Sequence, residues 1–312
     1  HARHVPLMKF IDLAEKGNNS PLTYVSGILL IFILYFVGSL GVLVDIHFNF
    51  PSLSIESMDA EFYQTMGHTR FLFWVLFPYF LVFTGVLIHH RWMHQRPLIQ
   101  AFTAMETFRW KRLFFAFFLM FILMIGLLSI QIYADSFGHG QAFNFQFNPS
   151  KFFPLLLVSL LMLPIQTACE ELLFRSYLLK GLKLRIKRTG TSILLSSLMF
   201  GLMHIGNPEV QEMGYHMLVY YFLSGLFLAL VTTVDDGLEL AIGYHTANNL
   251  IAAIFVTTDW QVFRTDALFI NHQDPGSGWS SLFFLLILLP SLFLLFKRMY
   301  RWPSWKEIMR SM

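Results

Sequence analysis

The sequence predicts an all-α fold, a polytopic transmembrane helical bundle of about eight spans, and three observations carry that prediction. Hydrophobic residues make up 55% of the 312 residues and charged residues only 13%, about half the charge of an ordinary soluble domain. The apolar residues fall in runs near the length of about 20 that a helix needs to cross the bilayer hydrocarbon. Lysine and arginine collect in alternate gaps between those runs, as the positive-inside tendency of membrane proteins requires.

The runs, in order, are Tyr24–Val44, Phe71–Ile88, Leu113–Ile130, Phe152–Leu179, Thr191–Ile205, Met213–Val231, Leu238–Val256 and Trp279–Phe296. The fourth contains Pro154 and Pro164, which membrane helices tolerate, and also Glu170, Glu171 and Arg175. The fifth is short and ends near His204. With the N-terminus inside, 18 of the 22 basic residues fall on the inner side. Arg70, Lys151 and Arg264 fall outside, and Arg175 lies within a helix. Asp235–Asp236–Gly237 is the one inner link without basic residues and reads as a tight turn. Two outer loops, Asp45–Arg70 and Gln131–Lys151, are longer than turns; they read as polar connectors that dip aromatics into the interface, or as a lid. No internal repeat and no soluble domain stands out, so residues 1–312 read as a single membrane domain.

Composition narrows the chemistry. A mean hydropathy of +0.56, with 35 phenylalanines and 7 tryptophans, suits a chain solvated by lipid. The single cysteine, Cys169, excludes an intrachain disulfide and a cysteine-based zinc cluster, and it reads as packing. The first twenty residues lack a continuous apolar run, so no cleavable signal peptide is expected.

Ionisable groups within the hydrocarbon cost at least a few kcal/mol each and mark sites by default. Here they form three clusters. In Glu170-Glu171-Leu172-Leu173-Phe174-Arg175, Arg175 lies one turn beyond Glu171 and on its face, the favourable order for an ion pair. Adjacent helical residues diverge by about 100°, which leaves Glu170 free to face a cavity. Phe200-Gly201-Leu202-Met203-His204 closes the fifth run. His245-Thr246-Ala247-Asn248-Asn249 lies in the seventh, where His245 and Asn249 share one face and can both donate to a developing oxyanion. Asn248 points elsewhere and reads as a helix–helix contact. Each cluster alone also fits plain helix packing: a buried Glu–Arg lock, an interfacial histidine, a polar contact. Their depths argue for one shared site. At 1.5 Å per residue, Glu170 lies about 15 Å from Lys180, His204 about 20 Å above Thr191, and His245 and Asn249 about 9 and 15 Å above Glu239. No His-Glu-x-x-His zinc motif, Gly-x-Ser-Gly nucleophile motif or Gly-x-Gly-Asp aspartyl motif occurs.

The three clusters, in this order, resemble the CAAX-protease and bacteriocin-processing family of intramembrane peptidases. Its Glu-Glu-x-x-x-Arg motif matches Glu170, Glu171 and Arg175; its Phe-x-x-x-His motif matches Phe200 and His204; its His-x-x-x-Asn motif matches His245 and Asn249. Ser176 departs from the glycine that commonly follows the arginine. The resemblance covers about Pro164 to Ala252. It implies that Glu170 activates a water, that His204 assists in positioning or proton transfer, and that His245 and Asn249 stabilise the tetrahedral intermediate. Glu171, Arg175 and Phe200 are then supporting residues. The family has also been described as metal-dependent, and Glu170, His204 and His245 form a recognised zinc set; the cofactor is therefore none or a divalent metal such as zinc. The expected partners are the lipid bilayer and a membrane-anchored peptide or protein substrate, a CAAX-type prenylated C-terminus or a leader peptide, with no nucleic acid. The alternative is a non-proteolytic immunity or scaffold protein, or a small transporter, on the same fold. The expected location is a prokaryotic plasma membrane with both termini cytoplasmic, and an endoplasmic reticulum location stays open.

Overall fold

The first long helix starts where local chemistry dictates. Ser20 caps it by accepting the Thr23 amide at 3.1 Å, and Pro21 occupies the first turn, where its missing N–H costs nothing. A computed structural model describes residues 8–53, 60–137, 142–258, 260–273, 276 and 278–311. A 3-10 helix, Phe10–Glu15, precedes α1 (Pro21–Asn49), α2 (Ala60–Met66), α3 (His68–Trp92), α4 (Ile99–Phe102) and α5 (Trp110–Phe137). After strand β1 (Phe143–Phe145), α6 (Pro149–Glu171) continues through a π-helical stretch, Leu172–Leu178, into α7 (Leu179–Ile186). Then come α8 (Thr189–Leu202), α9 (Pro208–Met213), α10 (Met217–Asp235) and α11 (Glu239–Ile254). Strands β2 (Val256–Thr257) and β3 (Phe269–Asn271), α12 (Trp279–Met299) and α13 (Trp305–Ser311) complete the chain.

Six helices among the described residues are long and apolar enough to cross a membrane, not eight. They are α1, α3, α5, the continuous α6–α7 rod, α10 and α12. The two shortfalls are α8, with 14 residues, and α11, with 16. At 1.5 Å per residue they reach about 21 and 24 Å, short of the roughly 30 Å hydrocarbon. α11 is buried along nearly its whole length and packs on α5, α6 and α10. Its apolar neighbours are protein rather than lipid, a distinction that an apolar run does not record. Gly243 lets α5 lie directly on it, since a Cβ there would collide with the Leu113 carbonyl. α8 instead keeps a lipid-type face of Leu194, Leu198 and Leu202 and breaks into turns at Met203.

The ends of the bundle differ in chemistry. At the basic end, Arg96 holds the carbonyls of Ala14 and Lys16 at 2.7 Å each, and buried Lys180 donates to Gln100 O at 2.8 Å. His94 is fully buried there, with Nδ1 on Asn18 O at 2.8 Å. Burial foremost, helped by the nearby Arg96 charge, lowers its pKa from 6.5 to about 4. The Asp235–Gly237 link proves to be more than a tight turn. Glu239 receives Arg109 at 2.6 Å, and Asp235 receives Arg109 at 3.1 Å, Arg112 and the Trp302 indole. The Asp236 side chain accepts the Phe10 amide. The turn itself carries no basic residue, and its cations come from Arg109, just before α5, and Arg112, in the first turn of α5.

The opposite end carries the small sheet, ordered β1-β3-β2, with β1 and β3 antiparallel and β2 and β3 parallel. Part of the Gln131–Lys151 loop is thus a sheet edge, while residues 138–141 of it, and 54–59 of the other long loop, lie outside the described residues. Asp45 receives Arg70 and Trp74 here, and Asp266 is shared by His68 and Lys151.

Candidate active site

Glu170 and Glu171 stand at the end of α6, where the hydrogen-bond pattern widens into the π-helical stretch, a local irregularity frequent at functional sites. Glu171 is fully buried and lies 3.2 Å from Arg175 Nε, so the expected pair forms. Arg175 is equally buried, donates to the Gly225 carbonyl at 3.2 Å, and lies over the Phe200 ring at 4.3 Å. Glu171 has a second partner that the sequence did not reveal: His245 Nδ1, at 2.9 Å. A carboxylate can only accept, so this contact fixes the imidazole with its proton on Nδ1. The bare Nε2 then faces Glu170, 3.6 Å from Oε2.

Glu170 is slightly exposed, at 12% of its side chain, and it is not free. Gln166, one turn earlier on α6, donates to its Oε1 at 2.5 Å. Gln166 Oε1 in turn accepts from Asn249 Nδ2 at 2.9 Å. Asn248 donates to the Oδ1 of its neighbour Asn249 at 3.3 Å. Thr167 and Thr246 share a hydroxyl hydrogen bond at 2.7 Å that ties α6 to α11. Cys169 is buried and unpaired, as packing requires.

His204 is held by contacts of its own rather than by hydrogen bonds to this cluster. Its Nδ1 is 2.8 Å from the Phe200 carbonyl, and its ring stacks on Tyr221 at 4.0 Å. That contact explains the Phe-x-x-x-His spacing: the carbonyl one helical turn back orients the imidazole and leaves Nε2 bare. His204 interacts electrostatically with Glu170 and His245, but no hydrogen bond joins it to either among the described residues. Phe200 therefore supports two groups, carrying the Arg175 guanidinium on its ring and His204 on its carbonyl. Among the described residues no three His, Cys, Asp or Glu side chains gather at metal-binding range. Glu170, His204 and His245 do not gather at that range, although both imidazoles keep Nε2 bare and a carboxylate on Nδ1, as Glu171 provides for His245, is the usual outer partner of a metal-bound histidine; they are the residues that would hold a zinc ion, and no step below runs through a metal.

Of the groups missed in the sequence, Gln166 had a signal, since four residues before Glu170 is the same helix face. Tyr221 and Gly225 had none, because only the packing of α10 on α8 brings them in. Outside the cluster, Glu209 accepts the Val262 amide at 2.9 Å, and burial raises its pKa; His216 stacks on Trp279 at 4.6 Å.

The fold and the cluster together define a class: a multi-pass helical membrane protein with a peptidase-like group of glutamates and histidines inside its bundle. Comparison with known proteins narrows the class. Residues 149–251 match the family described as type II CAAX prenyl endopeptidase Rce1-like, from the first turn of α6 to the last turn of α11, and this supports a CAAX-type assignment. Over 282 residues the chain is 28% identical to the uncharacterized protein YyaK of Bacillus subtilis (strain 168), covering 87% of this chain and 90% of that protein. No solved structure matches.

Proposed function

We propose that this chain is an intramembrane endopeptidase of a prokaryotic plasma membrane, with both termini cytoplasmic. Its substrate is a membrane-anchored peptide, either a prenylated CAAX-type C-terminus or a leader peptide. One observation carries the reading: His245 is held between two carboxylates, with Nδ1 on Glu171 at 2.9 Å and Nε2 toward Glu170 at 3.6 Å. A water between Glu170 Oε2 and His245 Nε2 can donate to both, and a carboxylate so placed is a general base.

Glu170 takes the water proton as the oxygen attacks the scissile carbonyl carbon. The oxyanion accepts from Asn249, whose Nδ2 keeps one hydrogen beyond the one given to Gln166, and such a donor stabilises the tetrahedral intermediate. His245 joins as a donor while it holds that same water proton, passed to its Nε2 by Glu170 and returned before collapse, with Glu171 holding the imidazolium charge meanwhile. The intermediate collapses when the leaving nitrogen receives the proton from Glu170, relayed through His204 Nε2. The C–N bond breaks, yielding a free amine and a carboxylic acid.

The test is cleavage by purified protein of a farnesylated CAAX-type peptide and a leader-peptide panel, comparing the native chain with Glu170→Ala and His204→Ala. Each change is expected to cut the rate by about 100-fold or more. Undiminished cleavage by both variants would overturn the assignment. Cleavage is expected to survive EDTA, because the steps above use no metal; loss of activity that added zinc restores would overturn them.

A further inference from the structure

Gln166 lies within the bundle at 5% exposure, between the general base and the oxyanion donor of the proposed site, and no motif assigns it a role. We infer that Gln166 is a positioning residue that sets the hydrogen-bond polarity of the site, aiming the Glu170 carboxylate and determining which atoms Asn249 offers to substrate. The inference rests on the peptidase reading above.

Glu170, the base of the proposed site, sets the direction of the hydrogen-bond chain. An ionised carboxylate only accepts, so Gln166 must turn its NH2 toward Glu170 Oε1, 2.5 Å away. Its carbonyl must then face Asn249, which answers with Nδ2 at 2.9 Å. Asn249 Oδ1 is consequently turned to Asn248 Nδ2, 3.3 Å away. Every donor points toward Glu170, and each amide has one orientation because the next has one. Two consequences follow for catalysis. Glu170 Oε1 is tied down, which directs Oε2, the oxygen beside His245, at the water. Asn249 has its oxygen occupied and retains a single N–H for the oxyanion, so it serves as a donor. Thr167 and Thr246, bonded at 2.7 Å, fix the spacing of α6 and α11 across which the chain runs.

The experiment compares Gln166→Met, similar in length but without donor or acceptor, with Gln166→Glu, similar in shape but without a donor for Glu170. Both are measured beside Asn249→Ala and the Gln166→Met/Asn249→Ala double variant. Misaimed catalytic groups cost rate rather than affinity, so kcat should fall on the order of 10–100-fold in both Gln166 variants with KM within about threefold. The double variant should be no slower than the slower single one, because the two residues act as a unit. Loss in KM alone, full activity in Gln166→Glu, or multiplying losses in the double variant would overturn the inference while leaving the peptidase reading intact. Full activity in Glu170→Gln, or a native chain that cleaves nothing in the panel, would instead sink the reading and the positioning role with it. The thermal midpoints of the same four proteins in detergent then still decide the relay: a double variant that loses less than the sum of the singles keeps it, and strict additivity refutes it.

Discussion

The Glu170–Glu171–His245 cluster and the Asp235–Glu239 cluster are both ionic, both sheltered and both shared between helices, yet they are built to opposite designs. At the basic end two carboxylates meet two guanidinium groups, Arg109 and Arg112, and the Trp302 indole fills a remaining position. The Asp235 and Glu239 side chains are wholly excluded from solvent. In the mid-bundle site two carboxylates meet only one guanidinium, Arg175, which belongs to Glu171. The other carboxylate, Glu170, has an amide and an imidazole for company and keeps some exposure. A matched set closes a fold; the mismatched one, on the proposed reading, leaves Glu170 as the base. The comparison teaches that burial and charge alone do not mark a site. What marks it is a carboxylate whose partners do not neutralise it.

The sharpest way to break this contrast is Glu170→Gln, which keeps shape and removes the base. Cleavage by the purified protein should fall about 10²–10⁴-fold, while its thermal midpoint in detergent stays near that of the native chain. The reciprocal change is Asp235→Ala, which leaves Arg112 and Trp302 facing a void. Stripping one partner from a buried ion pair costs about 3–5 kcal/mol. The thermal midpoint should therefore drop steeply, with the rate per folded molecule preserved. Equal behaviour of the two variants in both assays would erase the distinction between the clusters.

Glu171 belongs to both designs, since it neutralises Arg175 and orients His245. Glu171→Gln should therefore be the variant that moves both readouts. It leaves the guanidinium without its charged partner beside the Gly225 carbonyl and the Phe174 and Phe200 rings, at a cost of about 3 kcal/mol. It also weakens the hold on the imidazolium, slowing cleavage about tenfold, as loss of an orienting outer-shell partner does. A loss confined to stability would reduce Glu171 to a helix lock.

How far the sequence led depends on what kind of information each feature needed. Spacing along one helix was readable: Glu171 with Arg175, Phe200 with His204, and His245 with Asn249 on a single face all follow from 3.6 residues per turn. Contacts between helices were not. Nothing in the string joins Glu171 to His245, 74 residues away, or Gln166 to Asn249, 83 residues away. The overcount of spans has the same origin. α11 is apolar because it is enclosed by α5, α6 and α10, and hydropathy reads an enclosed helix and a lipid-facing one alike. The Asp235–Gly237 link is the expected tight turn between α10 and α11, but the cations that pair with its flanks, Arg109 and Arg112, come from around the start of α5, which the string does not show.

The smallest expected effect lies at the basic end, outside the spans, and concerns pH. His94 is held neutral by burial, with a folded-state pKa of about 4 against 6.5 for the free side chain. Between those values the unfolded chain binds a proton that the folded chain refuses. Stability is therefore flat above pH 6.5 and declines as pH falls toward 4. The ceiling for a shift of that size is about 3 kcal/mol, at 1.36 kcal/mol per unit. His89, Tyr24 and Tyr177 pack their rings against His94 at 5.0, 4.8 and 5.6 Å, and Arg96 adds its charge, so other groups can contribute to the native slope. His94→Gln isolates the term, because glutamine can still donate to the Asn18 carbonyl but does not titrate. Thermal midpoints in detergent from pH 7.5 to 5 should fall less for the variant than for the native chain. Parallel curves would mean that His94 takes up its proton in the folded protein as readily as in the unfolded one, and that the basic end is wetter than its packing indicates.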